Sequence, residues 1–303
     1  MAGIRKTLVH WRDWVLLATV FGLARPLPFR WLQRIGRWLG LCCWYVAPFR
    51  KRVVLANLRA SFGDDLDERD IRRLGRDFYA QLGTTLLEFC GYWRLGPARI
   101  RALVDIEGEE HLEEILQRDE GALLVSAHFG NWELLGAWAA TFDRPVRFLV
   151  KTQSNQRVDQ LQNDLRERAG VGIIRSGPSL RAMIRTLREG GFIGLLGDQD
   201  GGAQGLFLPF LGRQASVFRG TAQLAWRLGC PVITGFLVRQ PDGRHRAIVQ
   251  GPIGVDPAWD EKTAVENITR EHTQRLEALV RMHPDHYFWV HRRWKTRPPE
   301  EKP

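Results

Sequence analysis

The chain has 303 residues, enough to bury a sizeable core in one or two domains. Its formal net charge of +10 points to a polyanionic partner, and 12 tryptophans tilt that choice toward a membrane and its lipids rather than nucleic acid. The four cysteines (Cys42, Cys43, Cys90, Cys230) lack disulfide or metal spacing, which excludes a disulfide scaffold and suggests a reducing, cytoplasm-facing setting.

In chain order, five tryptophans (Trp11, Trp14, Trp31, Trp38, Trp44) fall in the first 44 residues, with arginines between them. Two apolar runs, Trp14 to Ala24 and Trp38 to Phe49, each fall short of the ~20 residues a spanning helix needs. A short tilted span from near Leu8 and a shallow helical hairpin on the membrane surface both fit, and no removable signal peptide is expected. Residues 1–56 are therefore expected to form a helical membrane-anchoring region, with 57–303 as the main domain. Asp64 or Asp67 opens a helix whose Ile71, Leu74, Phe78, Leu82 and Leu86 make one face apolar.

From about Val104 strands and helices alternate, which predicts an α/β fold with a central, mostly parallel sheet flanked by helices. The expected strands are Ala122–Ser126, Val146–Lys151, Gly172–Arg175, Phe192–Leu196, Pro231–Arg239 and His245–Val249. Pro241-Asp-Gly243 makes a hairpin of the last two. Helices are expected over Asn155–Ala169, Ser179–Glu189 and about Glu261 to Met282.

The informative segment is Ser126-Ala-His128-Phe-Gly130-Asn131-Trp-Glu133, where the first of these strands passes into a helix. Ligands of α/β folds sit at the carboxyl ends of strands, so His128 falls where chemistry is expected. Asn131 is placed to cap the helix. A histidine in the turn can meet a glutamate in the first helical turn. Glu133 would then fix the tautomer of His128 and leave its other nitrogen free to take a proton from a hydroxyl. No G-x-S-x-G elbow, catalytic cysteine motif or dinucleotide fingerprint competes with this reading. Asp198-Gln-Asp200 lacks the glutamate of a calcium loop, and His283, His286 and His291 lack a further zinc ligand, so neither metal nor cofactor is expected. Asp198, at a strand end, is expected to wall the site.

Taken together, these residues resemble the bacterial lipid A late acyltransferases. The blocks that carry the resemblance are Arg52-Val-Val-Leu-Ala-Asn57-Leu58 with Phe62, Val125 to Glu133, and Leu161-Gln-Asn-Asp-Leu-Arg166-Glu-Arg168. They continue with Gly197-Asp198-Gln199-Asp200, Pro209-Phe-Leu-Gly212, Gly220-Thr221 and His283 to Lys295, and span nearly the whole chain. The resemblance implies an inner-membrane enzyme on the cytoplasmic face. Such an enzyme moves an acyl chain from an acyl carrier protein or coenzyme A thioester to a hydroxyl of an anionic glycolipid, a lipid A precursor. It maps a catalytic pair onto His128 and Glu133 and a functional arginine onto Arg166. Asn131, Arg166, Asp198 and Arg293 are the candidate substrate contacts, Arg293 as part of a basic run suited to phosphate. Asp285-His286-Tyr287 stands where many lipid A enzymes carry a Glu-Gln-Trp-like triplet, which leaves other glycolipids or a lysophospholipid open as acceptor. The rival reading is a non-catalytic basic module for anionic lipid or nucleic acid. It accounts for the charge but not for the His128 turn, and no nucleic-acid-binding motif supports it.

Overall fold

The structure, a computed structural model, describes residues 2–117, 120–177 and 179–299, with side chains from Thr7 onward. The last residues of the expected main domain, 300–303, lie outside the described residues. Helices α1 (Ala2–Ala24), α2 (Phe29–Tyr45), α3 (Lys51–Phe62) and α4 (Glu68–Phe89) come first. Asp67 caps α4 by accepting from the Asp70 amide. Helix α5 (Gly96–Ala102) then leads into an alternating region: β1 (Val104–Glu107), α6 (Glu109–Gln117), β2 (Ala122–Ser126), α7 (Trp132–Ala139), β3 (Val146–Val150) and α8 (Gln156–Arg168). It continues with β4 (Val171–Arg175), α9 (Leu180–Arg188) and β5 (Phe192–Leu196). After these come β6 (Leu206–Phe210), β7 (Arg213–Val217), α10 (Gly220–Leu228), β8 (Val232–Arg239), β9 (His245–Ile253) and α11 (Glu261–Met282).

The main sheet has the order β1-β9-β8-β2-β5-β3-β4. Strands β8, β2, β5, β3 and β4 run parallel, while β9 pairs antiparallel with β8 across the expected hairpin and carries β1 parallel to itself. The α/β class and mostly parallel sheet are thus as the alternation predicts. Helices α5, α6 and α10 and two strand features went unread. Strand β1 is only four residues long and contains Asp105 and Glu107, so its apolar signal is weak. The β6–β7 hairpin contains Pro209 and turns at Leu211-Gly212, a composition that reads as a loop.

Two packing devices bind the helical N-terminus to the rest. Helix α2 lies directly on α4 because Gly36 and Gly40 face Tyr79, Ala80 and Gly83; a Cβ at Gly40 would overlap the Tyr79 carbonyl oxygen. The second is buried Asn57 of α3, which donates to the carbonyls of Trp289 and His291 in the C-terminal segment, at 2.8 and 2.7 Å. One core joins Val54, Leu58 and Phe78 of α3 and α4 to Phe129 beside the His128 turn and to Trp289. No helix among the described residues is long and apolar enough to cross a membrane.

The close α2–α4 contact is testable. Gly40→Val should force the two backbones apart and cost about 1–3 kcal/mol, the usual penalty of overpacking. Thermal and denaturant unfolding of the purified protein should report it, and an unchanged midpoint would contradict the packing described.

Candidate active site

The site begins with a buried apolar strand, β2, flanked by β8 and β5. Beyond Ser126 the chain turns sharply. The Phe129 side chain is buried against Phe236, and Gly130 adopts φ +58°, a left-handed conformation at which a Cβ would also overlap the Leu237 carbonyl oxygen. Asn131 then starts α7, its Oδ1 accepting from the Leu134 amide at 3.0 Å.

Sheet register decides the partner of His128. Ser126 of β2 is paired with Leu196 of β5, and the Gly197 amide donates to the Ser126 carbonyl. Two residues beyond each member of that pair stand His128 and Asp198, whose Nδ1 and Oδ1 are 2.8 Å apart. An Asp198 carboxylate accepts from Nδ1–H, which leaves Nε2 as the lone-pair nitrogen. Gln199 Nε2 lies 3.4 Å from that Nε2. The imidazole is held between Trp132 and Phe288, with ring centroids 5.3 and 5.4 Å away. Burial disfavours charge on His128, but the facing Asp198 carboxylate outweighs it and raises the pKa above the ordinary histidine value of about 6.5. Burial likewise opposes charge on Asp198, and the imidazole, helped by Arg293, holds its pKa below the usual carboxylate range.

Glu133 does not meet His128. Both its carboxylate oxygens are taken by the Arg166 guanidinium of α8, Nε to Oε2 at 2.9 Å and Nη2 to Oε1 at 2.6 Å. Arg166 is itself steadied by Asn163 Oδ1 at 2.9 Å. The expected His128–Glu133 hydrogen bond is therefore replaced by two pairs, His128–Asp198 and Glu133–Arg166. The reason is geometric: the Gly130 turn aims the imidazole at β5, while a planar guanidinium fork engages both oxygens of the glutamate. Glu133 still acts on the imidazole through space, favouring its charge.

Two expected substrate contacts also lie elsewhere. Asn131 is wholly buried, with Oδ1 on the Leu134 amide and Nδ2 donating to Glu88 at 2.6 Å, so its amide holds the turn. Arg293 is 2% exposed, donates to the Ser216 carbonyl at 2.6 Å and lies over the Phe210 ring. It supports Asp198 from beneath, because the basic run folds back under the strand ends instead of trailing into solvent. Of the three histidines weighed as metal ligands, His286 accepts from the Arg239 amide and His291 from the Asp200 amide.

A residue that sequence reasoning missed anchors the turn. The carboxylate of Glu88 at the end of α4 is fully buried and receives Arg239, Asn131 and Gln33, with His245 3.5 Å away. Although burial opposes its charge, Arg239 and His245 hold its pKa far below the usual range. A lone glutamate in an amphipathic helix gives no sign of such a role.

Below His128 runs a cleft of about 510 Å³ between α7 and the sheet. Its walls are rows of the sheet: Ser126 and Leu196 nearest the imidazole, then Leu124, Gly194 and Phe148, which share the next register. The row below, Ala122, Phe192 and Val146, is closed core. The Phe148 ring folds over two glycines, Gly136 of α7 and Gly194 of β5, where any Cβ would strike it. Arg166, Glu133 and Lys151 also line the cleft.

A base with a lone-pair nitrogen, fixed by a buried carboxylate above a cleft that combines apolar sheet residues with charged walls, is suited to activating a hydroxyl beside a long apolar substrate. Comparison with known proteins agrees. Residues 3–296 match the profile of the bacterial lipid A biosynthesis acyltransferases. The chain belongs to that family. It is 28% identical to a lipid A biosynthesis lauroyltransferase of Escherichia coli over 95% of this chain and 93% of the relative. It is 26% identical to the palmitoleoyltransferase of the same organism, over 95% and 92%. A phosphatidylinositol mannoside acyltransferase of Mycolicibacterium smegmatis is 21% identical over 69% of this chain and 71% of its own length.

This acyltransferase therefore carries its titrating histidine in a coupled buried pair, and the sign of the coupling can be checked. Asp198 raises the His128 pKa, so that share of stability is complete below about pH 6.5 and is lost as pH rises through the folded value. The lowered Asp198 pKa gives stability present above the ordinary carboxylate pKa of about 3.9 and lost as pH falls through the folded value. Asp198→Asn removes the dominant raising influence and leaves burial. The His128 ring resonances, followed by NMR, should titrate above about 6.5 in the wild type and below it in the variant. Equal titration in both would refute the pairing.

Proposed function

We propose that the chain transfers a fatty acyl group from an acyl carrier protein or coenzyme A thioester to a hydroxyl of an anionic, lipid A-type glycolipid precursor. The carrying observation is the His128–Asp198 pair at the head of a cleft that has apolar sheet residues along its floor and Glu133, Lys151 and Arg166 on its walls. His128 Nε2 takes the proton of the acceptor hydroxyl as its oxygen attacks the thioester carbonyl. Collapse of the tetrahedral intermediate breaks the C–S bond, and the imidazolium returns its proton to the leaving thiolate. Asp198 keeps the tautomer and stabilises the imidazolium. Gln199, together with the positive end of α7, offers donors to the oxyanion. Glu133 and Arg166 form a positioning pair in the cleft wall. A non-catalytic basic module would leave the His128–Asp198 pair without a purpose.

The reading places residues 1–56 on the cytoplasmic face of the inner membrane and assigns transfer to residues from 57 onward. Support comes from exposed apolar side chains on α1 and α2 and in the loop after α2, Leu16, Leu23, Trp38, Val46 and Phe49 among them. Helix α1 also contacts α8, the helix that bears Arg166: Asn155 donates to the His10 carbonyl, and Arg157 lies over the Trp11 ring.

Three measurements test this function. Acyl transfer to a lipid A precursor by the purified protein should fall about 100- to 10,000-fold in His128→Ala, the usual range for losing a general base. A loss within about threefold would overturn the mechanism, being far below that range. Glu133→Gln should lower kcat/KM while leaving the acid limb of the pH–rate profile nearer to wild type than Asp198→Asn does, since only Asp198 touches the imidazole. The Phe148 ring lies across the cleft from α7 to β5, so Phe148→Ala should raise the ratio of longer to shorter acyl chains transferred by about tenfold, the scale of a methylene in an apolar pocket. An unchanged ratio would place the chain elsewhere.

A further inference from the structure

A second cavity, of about 750 Å³, lies between α2, α4 and the β8–β9 turn, and shares no lining residue with the cleft at His128. Its character follows from α2. Arg30, Arg34 and Arg37 recur at helical spacing and form a stripe separate from Leu32, Gly36 and Gly40, which are buried. All three arginines line the cavity. Gln33 fixes the opposite wall by donating to the Gly243 carbonyl at 2.7 Å.

The charges around the cavity are unevenly spent. Arg239 in its floor is committed to Glu88. Asp285 accepts from Gln81 and pairs with His286, and Asp242 accepts from the Arg244 amide. Arg30, Arg34 and Arg37 make no ion pair among the described residues, and Arg34 has only a cation–π contact with Trp31 at 5.9 Å. Three unneutralised planar forks around one hollow match the geometry of a phosphate. Helix α2 also exposes Trp31 (54%) and Trp38 (62%), and indole beside guanidinium suits the headgroup level of a bilayer.

We propose that this cavity is a binding site for the phosphate of an anionic membrane phospholipid, separate from the reaction cleft. The inference rests on the reading that α2 lies at the membrane surface. Bound there, a headgroup neutralises the arginine stripe and sets the orientation of the helix on the bilayer, leaving the His128 cleft free for the reactants.

The test compares sedimentation with vesicles of phosphatidylcholine alone and of phosphatidylcholine mixed with phosphatidylglycerol. Three variants are needed. In the first, Arg30, Arg34 and Arg37 are all changed to Gln; in the second, the same three are changed to Lys. The third is a charge-matched control with Gln at Arg181, Arg185 and Arg188, exposed arginines of α9. Removing the cavity arginines should weaken binding to the mixed vesicles on the order of 100-fold, from the usual gain per basic residue near an anionic surface. The control should lose less than about tenfold on the same scale, and lysine should restore binding only in part because it lacks the fork. Equal losses in the cavity variant and the control, or full rescue by lysine, would reduce the effect to diffuse charge and overturn the proposal. Inorganic phosphate competing as well as phosphatidylglycerol vesicles would overturn the lipid source. Wild type that ignores all vesicles would instead refute the membrane reading on which the proposal stands. Activity of the cavity variant on acceptor in neutral detergent, together with its circular dichroism, establishes that it is folded.

Discussion

Parallel pairing of β2 with β5 is the constraint from which the site follows. The two strands are far apart in sequence and end in step, so whatever stands two residues past each end is brought face to face. Here those residues are a histidine and an aspartate, and the distance between them is set by the hydrogen-bond ladder of the sheet rather than by a flexible loop. Because the ladder lies in the buried centre of the sheet, with β8 and β3 on either side, the pair inherits its rigidity. A fixed acceptor for Nδ1–H determines which nitrogen can accept a proton, a choice that a mobile side chain could not hold.

The second support is electrostatic. A fully buried carboxylate is costly unless it is paired and hydrogen-bonded, and Glu88 is hydrogen-bonded by Gln33, Asn131 and Arg239, with His245 close by. Its partners come from α2, the turn after β2, and the β8–β9 hairpin, so one charge ties the N-terminal helices to the backbone that presents His128. The positive φ of Gly130 and the cap by Asn131 are local devices, but Glu88 holds them in register with the sheet. Beneath the site Arg293 plays the complementary part, a buried cation that favours the ionised form of Asp198.

The molecule therefore divides its many arginines by burial. Arg166, Arg239 and Arg293 are interior groups with assigned partners, whereas those along α2 face outward. Net charge alone does not separate these populations. The same holds for the tryptophans: Trp289 and Trp294 belong to the core, while Trp31 and Trp38 face outward.

Much was legible in the sequence because it is encoded locally. Apolar runs placed β2 and β5 to the residue, the 3.6-residue period and its caps placed α11, and Asn131 at a strand-to-helix turn marked where His128 would stand. Composition and spacing did not reveal the partner of His128, since Glu133 is five residues away and Asp198 seventy. Proximity in sequence favoured the wrong carboxylate; only strand order and register, which are properties of the whole sheet, bring Asp198 into contact. Arg293 and Asn131 were misplaced for a related reason: a basic or polar side chain looks solvent-bound until tertiary folding supplies buried partners. Glu88 and Phe148 carried no sequence signal at all. The role of each depends on what lies across from it: three other elements for Glu88, two glycines on different elements for Phe148. The sequence by itself determined the elements and the turn that bears the histidine. The pairing of charges and the closing of the cleft were decided by the tertiary structure, because both arise between residues that only the folded sheet brings together.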